Sequence, residues 1–271
     1  LDNCTWNSTT MRHLLVVSEQ THNTSEIRNF TFIIRDSEIE AASGAFILAA
    51  PTVTESRILV HNSTIHSTRM YHEHGKVSLP PIVASVQASI GVQNVTLFAS
   101  GCRTELISGV KNVYANTVAL SVMAAHDAML PFTSTNFTID NVTVRLEGSV
   151  TVRTSGLLAS ATAGVYATRV DTLTVNRLNI SAFGANMVLS STSTISSNVM
   201  GLSVYYQKSS NKTMLIRQAD TTFSFTGENS TLTATGQYAV AALGVAVYEF
   251  RSTGIGGCDI ETARVNMSLI G

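Results

Sequence analysis

The sequence predicts an all-β protein, a right-handed parallel β-helix of about six turns, from three observations. Short runs of β-branched and aromatic residues alternate with Thr, Ser and Asn, which is the period-2 pattern of strands. A small-residue motif recurs at intervals of 35 to 45 residues, a spacing typical of solenoids. Helical spacing is found only at 123–129, where Pro131 stops it.

The recurring motif is Gly or Ala followed by alternating apolar residues. A second alternation follows it in most copies, at 58–60, 95–97, 137–139, 173–175 and 214–216, and a third follows in several, as at 142–146 and 178–182. We therefore expect three short strands per repeat. Stacking the repeats would bury an apolar face that no single repeat can bury alone. The six copies begin at Ala45, Ala84, Ala119, Gly164, Gly201 and Gly244.

The predicted domain division lies near residue 28. Residues 1–28 read as a polar segment rich in glycosylation sequons with one strand-like run at 13–17, and residues 29–271 as the β-helical domain. Tandem β-sandwiches are the alternative architecture, and immunoglobulin-like sandwiches often carry a Cys…Trp…Cys core. Here Trp6 follows Cys4, but no second cysteine stands at sandwich spacing.

Asparagine in Asn-x-Ser/Thr is the strongest chemical signal. Twelve asparagines stand in this context without an intervening proline, whereas chance would place about four there. The excess predicts a protein that carries covalent glycans and is secreted, either extracellular or on a cell surface. At strand starts we expect the residue after the asparagine to point inward and the asparagine outward. The twelve are Asn3, Asn7, Asn23, Asn29, Asn62, Asn94, Asn136, Asn141, Asn179, Asn211, Asn229 and Asn266.

Composition excludes several classes of partner. Apolar residues make up 44% of the chain and charged residues 13%, the opposite of a disordered chain. A net charge of −1 provides no field to attract nucleic acid or an anionic membrane. The longest apolar stretches, 44–50 and 239–247, are shorter than a membrane helix requires, so we expect no membrane span in this chain.

Three cysteines cannot all pair within one chain. Cys4, Cys102 and Cys258 are the disulfide candidates. One intrachain bond with one buried thiol and a bond to a neighbouring chain are both compatible with the sequence.

No motif predicts catalysis, so we expect no enzyme, no catalytic residue and no cofactor. Histidines cluster at His61, His66, His72 and His74, and His66, His72 and His74 make a weak metal-site candidate. An exposed polar loop explains the cluster better. Pectin-degrading enzymes also use the parallel β-helix, and this chain resembles them in predicted fold. Such enzymes need clustered carboxylates, whereas those here are scattered.

In composition and short motifs the chain is similar to repetitive surface glycoproteins of protists, including trypanosomatid dispersed-family surface proteins. The similarity lies in Asn-Phe-Thr at 29–31 and 136–138, Asn-Val-Thr at 94–96 and 141–143, the Ala/Gly repeats and the low charge. This resemblance implies a role in a cell coat, an appendage or an adhesive surface.

The last strand-like run, at 264–269, is followed by no polar capping segment. A solenoid without a cap exposes strand edges and an apolar cross-section. We therefore predict self-association end to end into a homopolymer, an extracellular filament or a surface coat. The chain opens on Leu1, which suggests a processed protein or a segment of a longer one. A carbohydrate-active enzyme and an adhesin or receptor segment are the alternative functions.

Overall fold

A computed structural model describes residues 2–8, 15–18, 25–41, 44–67, 82–107, 114–124, 136–148, 151–168, 170–207, 213–228, 230–235, 238–250 and 258–270. These residues form strands and the short connections between them, and they contain no helix. The strands are β1 (Thr5–Ser8), β2 (Leu15–Ser18), β3 (Glu26–Arg28), β4 (Thr31–Arg35), β5 (Glu38–Ala41), β6 (Gly44–Thr54), β7 (Arg57–His61), β8 (Thr64–Ser67), β9 (Ile82–Ser100), β10 (Arg103–Ile107), β11 (Tyr114–Ala124), β12 (Asn136–Glu147), β13 (Thr151–Thr168), β14 (Thr172–Phe183), β15 (Asn186–Gln207), β16 (Met214–Thr226), β17 (Thr231–Thr235), β18 (Tyr238–Phe250) and β19 (Cys258–Ile270).

The prediction of an all-β chain is confirmed, and every strand pairing in the described part of the chain is parallel. The pairings form four ladders, which the chain visits in the order one to four and then repeats. Ladder one is β1, β5, β8, β10, β13, β15, β17, and ladder two is β2, β6, β9, β11, β13, β15, β18. Ladder three is β3, β6, β9, β12, β14, β16, β19, and ladder four is β4, β7, β9, β12, β14, β16, β19.

Each repeat therefore has four strand segments rather than three, and each ladder has seven strands in the described residues. The second alternation in the sequence mixed two ladders, because 58–60 and 95–97 belong to ladder four while 137–139 and 173–175 belong to ladder three. The six motif copies all lie in ladder two. Gly164, Gly201 and Gly244 are in register with one another, whereas Ala84 pairs with Phe46 and Leu120 and is therefore one residue out of register with Ala45 and Ala119.

Two columns of residues at positive φ join the ladders. Corner 3–4 connects ladders three and four and comprises Asn29, Glu55, Asn94, Asn141, Arg177, Asp220 and Arg264. Corner 4–1 connects ladders four and one and comprises Asn3, Asp36, Asn62, Gly101, Gly148, Gly184 and Gly227. Each corner 3–4 residue in the first six repeats stands seven residues before a corner 4–1 residue, whereas successive corner 3–4 residues are 26, 39, 47, 36, 43 and 44 residues apart.

The corner residue also shifts the alternation of buried side chains. Strand β14 buries Leu173 and Val175, and after Arg177 at φ 51° it buries Leu178 and Ile180. The same shift in neighbouring strands stacks apolar side chains in columns, because parallel strands in register place equivalent residues one strand spacing apart. Phe46, Phe137 and Phe223 are the largest fully buried side chains of this core.

Gly164, Gly201 and Gly244 form a glycine column in ladder two, at φ between 112° and 150°. A Cβ on Gly164 would overlap the carbonyl oxygen of Gly201, and a Cβ on Gly201 would overlap that of Gly244. Ile180 from ladder four reaches the same place, since its Cδ1 would meet a Cβ on Gly164. Close backbone approach therefore explains why the motif carries glycine there.

Residues 1–28 hold three strands, β1 to β3, where one was expected. They pair with β5 and β6, so the hydrogen-bonded sheet continues across residue 28. No helix in the described residues is long and apolar enough to cross a membrane.

Candidate functional site

Corner 3–4 presents a column of polar side chains, although its backbone conformation favours glycine. Its seven residues have φ between 50° and 57°, and none of them is glycine. An L-residue in this region costs roughly 1–2 kcal/mol, least for Asn and Asp. The side chains at Asn29, Asn94 and Asn141 are exposed, so room for a side chain on the outside makes the conformation tolerable.

Arginine–carboxylate pairs link neighbouring repeats along this corner. Arg28 donates from Nε and Nη2 to the two oxygens of Glu55 at 3.1 and 2.8 Å. Arg264 pairs with Asp220 in the same bidentate way. The hydrogen bond from Arg28 lowers the pKa of Glu55, and that from Arg264 lowers the pKa of Asp220. These charges are exposed, so each pair adds little stability by itself.

A polar groove of about 430 Å³ runs beside the first four corner residues. Its walls are the corner side chains and the first outward residues of ladder four. Two of the corner amides are in contact, because Asn141 Nδ2 donates to Asn94 Oδ1 at 2.7 Å. The lining residues are Asn29, Thr31, Glu55, Arg57, Asn94, Thr96, Asn141 and Thr143.

The sequon asparagines whose side chains are described all lie on the outside. Val95, Phe137 and Val142, each following a sequon asparagine, are buried, and Phe30 is partly buried against the core, so the predicted phase is confirmed. Asn7 lies in β1 with no described side chain, and Asn23, Asn211 and Asn229 lie outside the described residues. The exposed asparagines are Asn3, Asn29, Asn62, Asn94, Asn136, Asn141, Asn179 and Asn266.

Corner geometry explains part of the sequon excess without glycosylation. Five of these eight asparagines stand at positive φ in the two corners: Asn3, Asn29, Asn62, Asn94 and Asn141. Such a corner favours Asn, and an outward β-branched residue two positions later completes Asn-x-Thr. The other three, Asn136, Asn179 and Asn266, lie inside strands, where Asn is disfavoured. Those three are the ones that fold geometry leaves unexplained.

Among the described residues, β19 is the last member of ladders three and four, and no strand pairs with its outer edge. Met267 and Leu269 continue the buried columns of Phe223 and Phe225 but are 64% and 72% exposed. Ile260 continues the column of Ile216 and is 46% exposed. In the part of the chain that the structure describes, β19 therefore combines exposed core-type side chains with a backbone edge that no other strand pairs.

Cys4 and Cys102 are free thiols that occupy the same column as two serines. Ser37 and Ser63 donate to the carbonyl oxygens of Arg35 and His61 across corner 4–1, both at 2.6 Å. Cys102 Sγ makes the matching contact to Ser100 O at 3.2 Å, and Cys4 Sγ to Asp2 O at 3.2 Å. Burial raises the pKa of the Cys102 thiol.

A disulfide between Cys4 and Cys102 is excluded by their places in ladder one. Thr5, which follows Cys4, pairs with Glu38, Glu38 pairs with Thr64, and Thr64 pairs with Arg103, which follows Cys102. The two cysteines are therefore three strand spacings, or about 14 Å, apart. A disulfide needs Cα atoms within about 7 Å. The structure describes the backbone of Cys258 at the start of β19, but not its side chain.

The described residues contain no group of three or more metal-ligating side chains. His61 Nδ1 lies 2.8 Å from Ser100 Oγ, and its ring packs against Phe98. His66 lies in β8, where only its backbone is described, and His72 and His74 lie outside the described residues. Asp140 pairs with Arg177, so this carboxylate belongs to the ion pairs of the corner.

Sequence reasoning missed corner 3–4, because Glu and Arg are not residues that signal a left-handed backbone. A positional signal was present: apolar residues at the third and fifth places after the corner, an apolar residue at the first place in five of the seven cases, and Asn, Asp or Gly at the seventh. No protein-family model matches the chain, and comparison with curated proteins and with solved structures found no match.

Proposed function

We propose that the chain is a secreted, N-glycosylated subunit wound as a right-handed parallel β-helix that stacks end to end into an extracellular filament or surface coat. The winding is supported by the order of the ladders, since the chain runs through all four and returns to the first in each repeat. Parallel pairing requires a crossover between paired strands, and such crossovers are right-handed in nearly all proteins.

The observation that carries the proposal is the exposed end strand β19. Met267 and Leu269 continue columns of core residues but are exposed, and none of the described strands pairs with the outer edge of β19. Long exposed apolar edges promote pairing with another chain. A head-to-tail contact between different ends of the same chain propagates as a fibre unless the rotation closes a ring.

The register of the two ends supports a second copy as the partner. In ladder four, Met267 stands in the column that begins with Phe32, and Leu269 in the column that begins with Ile34. Strands β3 and β4 of the next copy would therefore continue the apolar columns of β19. Glu26, the first residue of β3, stands in the column of Glu261, and the bridge between Asp2 and Arg35 occupies the column of Ile270, so we expect pairing over 261–269.

Glycans would confine growth to the stacking direction. The strand asparagines Asn136, Asn179 and Asn266 project to the side, where a glycan blocks lateral contacts between neighbouring sheets. The enzymatic alternative has less support. Glu55 is the only carboxylate among the described residues that line the groove, and its ion pair with Arg28 opposes a role as general acid.

Electron microscopy of the glycosylated protein over a range of concentrations tests the stacking. We expect fibres from the native chain and none from Met267→Asp/Leu269→Asp. The matched control is Phe183→Asp, because Phe183 is also exposed, at 62%, but lies on the lateral face. Fibres from the end-strand variant, or isolated short rods from the native chain at every concentration, would refute the proposal.

A further inference from the structure

We propose that Asn94 and Asn141, although both are sequon asparagines, carry at most one glycan between them in the folded chain. This inference rests on the proposed glycosylation and adds a limit set by strand register. Val95 pairs with Val142, so the two asparagines before them stand on adjacent strands. Adjacent parallel strands are about 4.8 Å apart.

The two side chains leave the backbone in the same direction. Their φ angles are 54° and 53°, and their amides touch, with Asn141 Nδ2 2.7 Å from Asn94 Oδ1. A glycan is attached at Nδ2, the atom that makes this contact in Asn141. Two branched oligosaccharides rooted one strand spacing apart would have to share the space beside one groove.

The modification itself is a transfer from a lipid-diphosphate-linked oligosaccharide. The amide nitrogen Nδ2 attacks C1 of the sugar, the N–C bond forms, and the C–O bond to the diphosphate breaks. The lipid diphosphate leaves, and Nδ2 loses one of its two protons. One proton remains on Nδ2, so a single glycan on either asparagine preserves an N–H donor, whereas two glycans crowd the same contact.

The proposed limit of one glycan does not apply to two other pairs of exposed sequon asparagines, because their members are farther apart. Asn29 is separated from Asn94 by Glu55 in the corner column, which makes two strand spacings or about 9.5 Å. Asn179 is on the strand next to Asn141 but two residues beyond the corner position. Asn29 with Asn94 is thus a control pair that differs from Asn94 with Asn141 mainly in separation.

Intact-mass measurement of the secreted chain, with and without enzymatic release of N-glycans, tests the inference. The variants are Asn94→Gln, Asn141→Gln and the double variant, all of which keep an amide at the corner. We expect the double variant to carry no more than one glycan fewer than the native chain. If the native chain carries one glycan more than the double variant, we expect glycosylated peptides from both Asn94 and Asn141 but no single chain that is glycosylated at both.

A loss of two glycans in the double variant would overturn the inference while leaving the proposed function intact. A native chain with no glycan at any site would refute the proposed function instead, and with it the premise of the limit. Asn29→Gln combined with Asn94→Gln is the control that can lose two glycans. Secreted yield and the circular dichroism spectrum of each variant show that counts are compared between folded chains.

Discussion

Corner 3–4 and the glycine column both hold residues at positive φ, yet they accept opposite kinds of side chain. The corner carries seven residues with side chains at φ 50–57°, and the column carries Gly164, Gly201 and Gly244 at 112–150°. The corner lies in the small left-handed region open to L-residues, whereas the column lies where glycine is nearly obligatory. Corner side chains also point to solvent, while the space beside each column glycine is filled.

The difference teaches that a left-handed backbone alone does not require glycine, whereas lack of space beside the backbone does. Where the outside is free, Asn, Asp, Glu and Arg take the left-handed position and use their side chains for contacts between repeats. Where the backbones of neighbouring repeats approach closely, only glycine remains.

The largest expected effect comes from filling the glycine column. Gly201→Ala would set a Cβ against the carbonyl oxygen of Gly244 at a φ that alanine avoids. We expect a loss of at least about 3 kcal/mol in the free energy of unfolding, or no folded secreted protein, from overpacking together with backbone strain. Denaturant titration and secreted yield measure this.

Gly148→Ala is the matched control for that substitution. Gly148 has φ 49°, and a Cβ there would meet nothing within 4 Å. We expect a cost of only about 1–2 kcal/mol, the price of an L-residue in the left-handed region. If Gly148→Ala and Gly201→Ala lost equal amounts of the free energy of unfolding, the lack of space beside Gly201 would not explain its glycine.

Gln218 is a polar side chain in the buried core, in contrast to the exposed polar side chains of corner 3–4. Its side chain occupies an apolar column of ladder three in line with Val175, it is 2% exposed, and neither amide atom has a hydrogen-bond partner. Because an unpaired buried amide is costly, Gln218→Leu should raise the free energy of unfolding by about 1–3 kcal/mol. Chemical denaturation measures the free energy of unfolding of Gln218→Leu. Gln218→Glu is the control, and it should lower that free energy.

Arg177 probes the corner itself at φ 51°. Arg177→Val places a β-branched residue in the left-handed region, and we expect the Tm to fall by about 2–4 °C. Arg177→Gly relieves the strain but loses the ion pair with Asp140, so little change in Tm is expected. If the Tm of Arg177→Gly fell as far as that of Arg177→Val, the ion pair with Asp140, and not the backbone conformation, would explain the arginine at this position.

The smallest effect concerns pH. Because Arg264 lowers the pKa of Asp220 in the folded chain, the ionised pair stabilises the fold above the ordinary carboxyl pKa of about 4. That contribution is lost as the pH falls through the lowered value. We expect the Tm of Asp220→Asn to fall less on acidification than that of the native chain. In 1 M salt the difference should shrink, and a difference unchanged by salt would argue against the ion pair.

The all-β character of the chain could be predicted from the sequence because strand alternation and the repeat are local patterns. Phe137, Val142 and Val95 were assigned to the inside from alternation and are buried. The strand segments of ladder one were not predicted, because they are only four or five residues long, as in β5, β8 and β17, or continue directly into ladder two, as in β13. So short an alternation does not stand out from the surrounding sequence.

The candidate site was less accessible to sequence reasoning. The sequon asparagines were identified one by one, but contact between Asn94 and Asn141 depends on register across 47 residues, which no local pattern specifies. The serine and cysteine column was missed for the same reason, because Cys4 and Ser37 become equivalent only through the pairing of β1 with β5. The number of cysteines likewise does not reveal that Cys4 and Cys102 lie three strand spacings apart in ladder one.

The constant spacing of seven residues between the two corners has a consequence for how the chain can change in length. Removing one residue between Asn141 and Gly148 would turn the following side chains over, so apolar residues would face water. Between corner 4–1 and the next corner 3–4 the separation already ranges from 19 to 40 residues. Insertions and deletions should thus be tolerated only in that longer stretch, in the connections between its strands, where new loops or tags would leave the buried columns unchanged.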